Sequence, residues 1–130
     1  MTRTTPRSGR RPELSSSVAR LDEERDALRK RASQLTDDMA ALIAASRDSN
    51  ADDEHDPEGQ TIAYERSQLS AVTNQTLDHL REVEAALERV NAGTYGACEV
   101  CRQPIALARL EARPTARTCV SHVDTRRNAT

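Results

Sequence analysis

The stretch ELSSSVARLDEERDALRKRASQLTDDMAALIAAS, residues 13–46, decides how this chain folds. Leu14, Val18, Leu21, Arg25, Leu28, Ala32, Leu35, Met39 and Leu42 follow one another at alternating spacings of four and three. That is a heptad seam, apolar at every position but Arg25, and it predicts one helix of roughly 50 Å at 1.5 Å rise per residue. Downstream, SRDSNADDEHDPEG interrupts the pattern with Ser, Asn, Asp, Pro57 and Gly59, which reads as a turn. A second stripe then runs from about Glu58 to Asn91 through Ile62, Leu69, Leu80, Val83, Leu87 and Val90, with Arg66, Thr73 and Thr76 interrupting it. Val72 and Leu77 lie just off this stripe and are placed to compensate. Two helices of matched length, each with one apolar stripe, bury those stripes most simply by folding back on each other. The same stripes could pair between chains as a dimeric coiled coil, but the compact loop and equal lengths favour an antiparallel hairpin within the chain.

Composition agrees with a seam rather than a globular core. The chain has 130 residues, no Trp or Phe and two Tyr; it is 36% hydrophobic and 31% charged. There is too little bulky apolar material for a large core or a two-domain enzyme. No run approaches the eighteen or so apolar residues of a membrane span, and MTRTTPRSGRRP lacks the apolar middle of a secretory signal, so the expectation is a cytoplasmic protein with no membrane partner. The net charge of −2 conceals an asymmetry. Residues 1–12 carry Arg3, Arg7, Arg10 and Arg11 with no acid and no apolar anchor, and read as a disordered basic tail. Residues 47–59 carry Asp48, Asp52, Asp53, Glu54, Asp56 and Glu58 against Arg47 alone, which makes the hairpin tip acidic.

All three cysteines fall in the last third of the chain. Gly93 and Gly96 end the second helix, and residues 92–130 read as a small module. Its pairs are Cys98-x-x-Cys101 and, seventeen residues later, Cys119-x-x-His122. A two-residue gap lets both members of a pair point at one ion, and the intervening loop closes a tetrahedron; this is the spacing of a structural zinc site. Four protein ligands leave no open position for water, so the metal is expected to hold structure and not to catalyse. A module whose larger apolar groups are Tyr95, Val100, Ile105, Leu107, Leu110 and Val120 needs such a staple. Chelation is therefore expected to unfold the finger before the hairpin. No Gly-rich phosphate loop and no nucleophile paired with a base is present, so no enzymatic chemistry is assigned.

The run GTYGACEVC (93–101), the following Pro104-Ile105 and RLEARPTARTC (109–119) resemble the DksA/TraR zinc-finger family of bacterial transcription regulators. The likeness is close over 91–122, and the preceding hairpin agrees in architecture. It implies a monomeric regulator that binds core RNA polymerase by inserting the hairpin into the secondary channel, with the zinc end at the rim, and that makes no sequence-specific DNA contact. Three positions depart from the family pattern: His122 stands for a fourth cysteine, Arg102 stands for the glycine after Cys-x-x-Cys, and the tip has Glu58 where Asp-x-x-Asp-x-Ala ends in Ala. Asp53 and Asp56 keep the signature spacing, so with Glu58 they are the effector candidates; read from composition alone the same run is a solvated connection. Two other functions stay open: a zinc finger binding nucleic acid directly through its arginines, and a structural coiled-coil adaptor.

Overall fold

The computed structural model describes residues 11–49 and 57–123, and within them the chain is mainly helical, with irregular backbone confined largely to the stretch after residue 92. A 3-10 turn, Pro12–Leu14, leads into α1, Ser15–Ser49; α2 is Pro57–Ala92; a short α3, Leu107–Ala112, and a second 3-10 turn, Val120–His122, belong to the finger. The two long helices form the expected hairpin. No helix among the described residues is long and apolar enough to cross a membrane.

Both ends of the expected 47–59 loop are corrected. α1 continues to Ser49, and α2 starts at Pro57, whose fixed φ and missing N–H suit the first position of a helix. Glu58 is thus the second residue of α2, while Asp53 and Asp56 lie outside the described residues. At the other end, Arg11 and Pro12 leave the expected tail: Pro12 opens the 3-10 turn, and Arg11 donates from Nη2 to the Ile105 carbonyl at 2.8 Å. Residues 1–10 of that tail lie outside the described residues.

The chain divides into two compact units: Asp26–Leu80, and the chain before Asp26 together with the chain after Leu80. In Asp26–Leu80, Leu35 of α1 and Thr76 of α2 are buried, and Leu28, Ala32, Met39, Leu42, Ile62, Leu69, Val72 and Leu77 are half-buried. Val72 and Leu77 do fill in beside the polar interruptions. The Thr73 hydroxyl donates to the Leu69 carbonyl one turn back at 2.7 Å, which satisfies a polar group on the seam without a partner from the other helix.

In the other unit the core is made jointly by the helices and the finger. Leu14, Leu21, Val83, Ala86 and Val90 are buried along with Tyr95, Cys98, Ile105, Leu110 and Ala116. Burying each Leu, Val or Ile contributes about 1.5–3 kcal/mol, so these few residues carry most of the unit's hydrophobic stabilisation. Arg25, the charged residue on the first stripe, pairs with Asp22 Oδ1 at 3.4 Å and so stays half-exposed. Two residues counted among the finger's apolar groups are not in its core: Val100 is 45% exposed and Val120 is 68% exposed. Each sits inside a chelating pair, where the flanking ligands turn inward and the residue between them turns out.

Candidate metal centre

The finger starts where α2 stops, and glycine sets that point. Gly93 takes φ 82°, and its N–H donates to the Val90 carbonyl at 3.2 Å while Thr94 N–H reaches back to Arg89 at 2.9 Å. This pair of bonds satisfies the last carbonyls of α2 and turns the chain out of the helix. Gly96, at φ 88°, turns it again, and a Cβ placed there would stand 2.8 Å from Leu14 Cδ1. Gly96→Ala therefore combines a left-handed strain with a clash in the core. It is expected to cost about 3 kcal/mol, read as a fall in the denaturant midpoint with zinc present; an unchanged midpoint would contradict this close approach.

Beyond Gly96 the chain forms a knuckle. Cys98 N–H donates to Gln103 at 2.9 Å and Ile105 N–H to Gly96 at 2.8 Å, with a single antiparallel bridge between Ala97 and Pro104. Arg102 N–H closes the turn onto the Cys98 carbonyl at 2.9 Å. Arg102 itself takes φ 66°, alone in this respect among the described non-glycine residues. The position that resembles a family glycine does need a left-handed backbone. Arg102→Gly is expected to relieve strain of about 1 kcal/mol and to raise the unfolding midpoint; a lowered midpoint would mean that the arginine side chain outweighs the strain.

The second pair is carried by the segment after α3. Glu99 N–H donates to the Arg117 carbonyl at 2.9 Å, and Arg117 Nη1 meets Glu99 Oε2 at 3.3 Å, so the segment is fastened to the knuckle twice. Arg109 Nε holds the Thr118 carbonyl at 2.8 Å, just before Cys119. A 3-10 turn then brings His122 back over Cys119, with His122 N–H on the Cys119 carbonyl at 3.0 Å.

These two segments bring Cys98, Cys101, Cys119 and His122 together, with one ligand atom of each inside a 4.8 Å cluster. Cys101 Sγ lies 3.9 Å from Cys119 Sγ, and His122 Nδ1 lies 3.7 Å from Cys98 Sγ and 3.2 Å from Cys119 Sγ. Zinc bonds of about 2.3 Å to sulfur and about 2.0–2.1 Å to nitrogen give a tetrahedron with edges of about 3.8 Å between sulfurs and about 3.5 Å between sulfur and nitrogen. The donor atoms are already spaced to hold one zinc ion. Electrostatics agree: burial raises the Cys98 thiol, but the backbone N–H groups of Cys101, Cys119 and Val100, with the His122 imidazole, outweigh it and bring the thiol down to about 6. At Cys101 the Gln103 backbone lowers the thiol, yet burial and the Cys98 and Cys119 sulfurs raise it further, and the net direction is up. Three sulfurs this close repel one another as thiolates, and a divalent cation relieves that repulsion.

Residues 93–121 match the model of the prokaryotic dksA/traR C4-type zinc finger. Residues 93–121 are a zinc finger of the DksA/TraR type. It carries one structural zinc ion. Among similar proteins, YteA of Bacillus subtilis is 40% identical over 73 residues, which is 56% of this chain and 30% of that protein. The RNA polymerase-binding transcription factor DksA of Caulobacter vibrioides is 57% identical over 37 residues, 28% of this chain and 26% of that one. The matched stretches thus span under a third of these curated relatives. In solved structures, the transcription factor DksA2 from Pseudomonas aeruginosa superposes with a TM-score of 0.52 at 25% identity, covering 85% of each chain. The family match stops one residue short of His122, the position at which this DksA/TraR finger departs from a four-cysteine set.

Sequence reasoning missed how the DksA/TraR finger is bonded to the helices. Arg20 Nη1 donates to the Glu111 carbonyl and Arg89 Nη2 to the Thr115 carbonyl at 3.3 Å, as Arg11 does to Ile105. The Tyr95 hydroxyl donates to the Pro114 carbonyl at 2.7 Å and bonds the buried Ser17 hydroxyl of α1. Burial pushes Tyr95 above its ordinary value, and Ser17, Arg89 and Arg20 pull it part of the way back. Ser17 carried a weak signal, being a small polar residue one step from the apolar seam.

Proposed function

We propose that this chain regulates transcription by binding core RNA polymerase as a monomer, with the hairpin entering the secondary channel and the finger at its base. One observation carries the reading: a DksA/TraR finger is built onto the base of a two-helix hairpin, and the finger is similar in sequence to a factor whose name states that it binds RNA polymerase. In this reading Cys98, Cys101, Cys119 and His122 hold the zinc, and the metal shapes the finger without taking part in a reaction. The tip residues Asp53, Asp56 and Glu58 act as effectors, since carboxylates favour hard cations such as a polymerase's catalytic magnesium. The site of action is the cytoplasm, no enzymatic step is involved, and no membrane or sequence-specific DNA contact is needed.

The test is retention of purified full chain by core RNA polymerase, competed by a ligand of the secondary channel. Competitive binding in the nanomolar-to-micromolar range is the expected result, with bare promoter DNA bound only weakly and with steep salt dependence. Sequence-specific retention on DNA without polymerase would favour a nucleic-acid-binding finger, and no binding to either would favour a coiled-coil adaptor.

A further inference from the structure

We propose that His122 completes the zinc shell through Nδ1 and not Nε2, which makes this finger a Cys3His variant of a four-cysteine design with the ring proton held on Nε2. The inference rests on the four-ligand reading given above and adds the atom and tautomer by which the histidine takes a cysteine's place.

The argument begins in the backbone. The Val120–His122 3-10 turn, closed by His122 N–H on the Cys119 carbonyl at 3.0 Å, sets residues 119 and 122 in a tight reverse turn. A ligand at its end has to reach back toward Cys119 over a short distance. A cysteine sulfur is one bond from Cβ, imidazole Nδ1 is two bonds away and Nε2 is three. Nδ1 is therefore the ring atom whose reach comes nearest to that of the thiol it replaces, and through it the turn needs no lengthening. The observed placement agrees, since Nδ1 is the ring atom at 3.2 Å from Cys119 Sγ and 3.7 Å from Cys98 Sγ. These are two of the three sulfur–nitrogen edges of the tetrahedron, each near the required length.

A metal-binding imidazole is neutral, so the nitrogen that does not bind keeps the proton. Metal-binding histidines usually donate that second N–H to an oxygen acceptor. Among the described residues none accepts from Nε2 of His122, whose recorded partners all lie at Nδ1. With three thiolates and one neutral imidazole the site carries a net charge near −1, one unit less negative than four thiolates, at a half-buried position of the finger.

The experiment loads the full chain with spin-active cadmium in place of zinc and reads scalar coupling from the metal to imidazole protons. From Nδ1, three bonds reach the Cε1 proton while the Cδ2 proton is four bonds away; from Nε2, both ring protons are three bonds away. The expected result is splitting of the His122 Cε1 proton alone. Splitting of both ring protons would overturn Nδ1 ligation and leave the four-ligand site standing. Bound cadmium with no splitting of any His122 proton would overturn both. The chain also has His55 and His79, so the split signal must vanish in His122→Cys, which keeps a fourth ligand at the same position. Its persistence there would assign it to another histidine and overturn the proposal.

Discussion

Stripping the zinc, or replacing Cys119 with Ser, is expected to unfold the base of the hairpin together with the finger. The sequence suggested a finger that would come apart first, on its own. In the structure Leu14 and Leu21 of the N-terminal arm, Val83, Ala86 and Val90 of α2, and Tyr95, Ile105 and Leu110 of the finger are buried in one unit. Arg11, Arg20 and Arg89 spend their guanidiniums on finger carbonyls, and Ser17 bonds Tyr95. Structural zinc contributes about 10–16 kcal/mol in isolated fingers, whereas a whole small domain is stable by only about 5–15 kcal/mol. Its loss is large enough to take the shared core with it. Hydrogen exchange should then show amides of 15–25 and 81–92 losing protection at the same chelator concentration as those of 93–123, with a matching fall in helical circular dichroism. Full protection of 15–25 and 81–92 in the metal-free protein would refute this coupling. His122→Cys should keep both metal and protection, since it restores a fourth thiolate in the same turn.

The second large effect is expected at the tip. Replacing Asp53 and Asp56 with Asn removes two charges and alters neither the apolar seam nor the zinc ligands, so binding to core RNA polymerase should persist while the effect on transcription disappears. If the acidic run is only a solvated connection, the same double substitution should leave transcription untouched, because surface changes away from packing rarely matter. Glu58→Ala probes the departure from the DksA/TraR signature and should strengthen the effect if the glutamate blunts the tip. In vitro transcription beside a polymerase-binding assay separates the cases. Equal loss of binding and effect in the Asn variant would make the tip an anchor and not an effector.

The heptad spacing of Leu14 through Leu42, the second stripe from Ile62 to Val90, and the paired spacing of Cys98, Cys101, Cys119 and His122 were all legible before any coordinates. They are legible because helical periodicity and chelate geometry are local: a few residues along the chain settle them whatever the rest of the protein does. At residue 102 the resemblance marked only a missing glycine, and the structure supplied the left-handed φ of 66°. What required the tertiary structure is how the finger is secured. Val100 and Val120 look like core residues and are exposed, while Ala86 and Ala116 are buried. Arg11, placed by composition in a tail, is bonded to Ile105 across a separation of 94 residues. A side chain at Gly96 would meet Leu14 Cδ1 at 2.8 Å. Each of these depends on which surfaces meet after the chain has folded, and contacts between residues so far apart leave no period or spacing in the sequence to read.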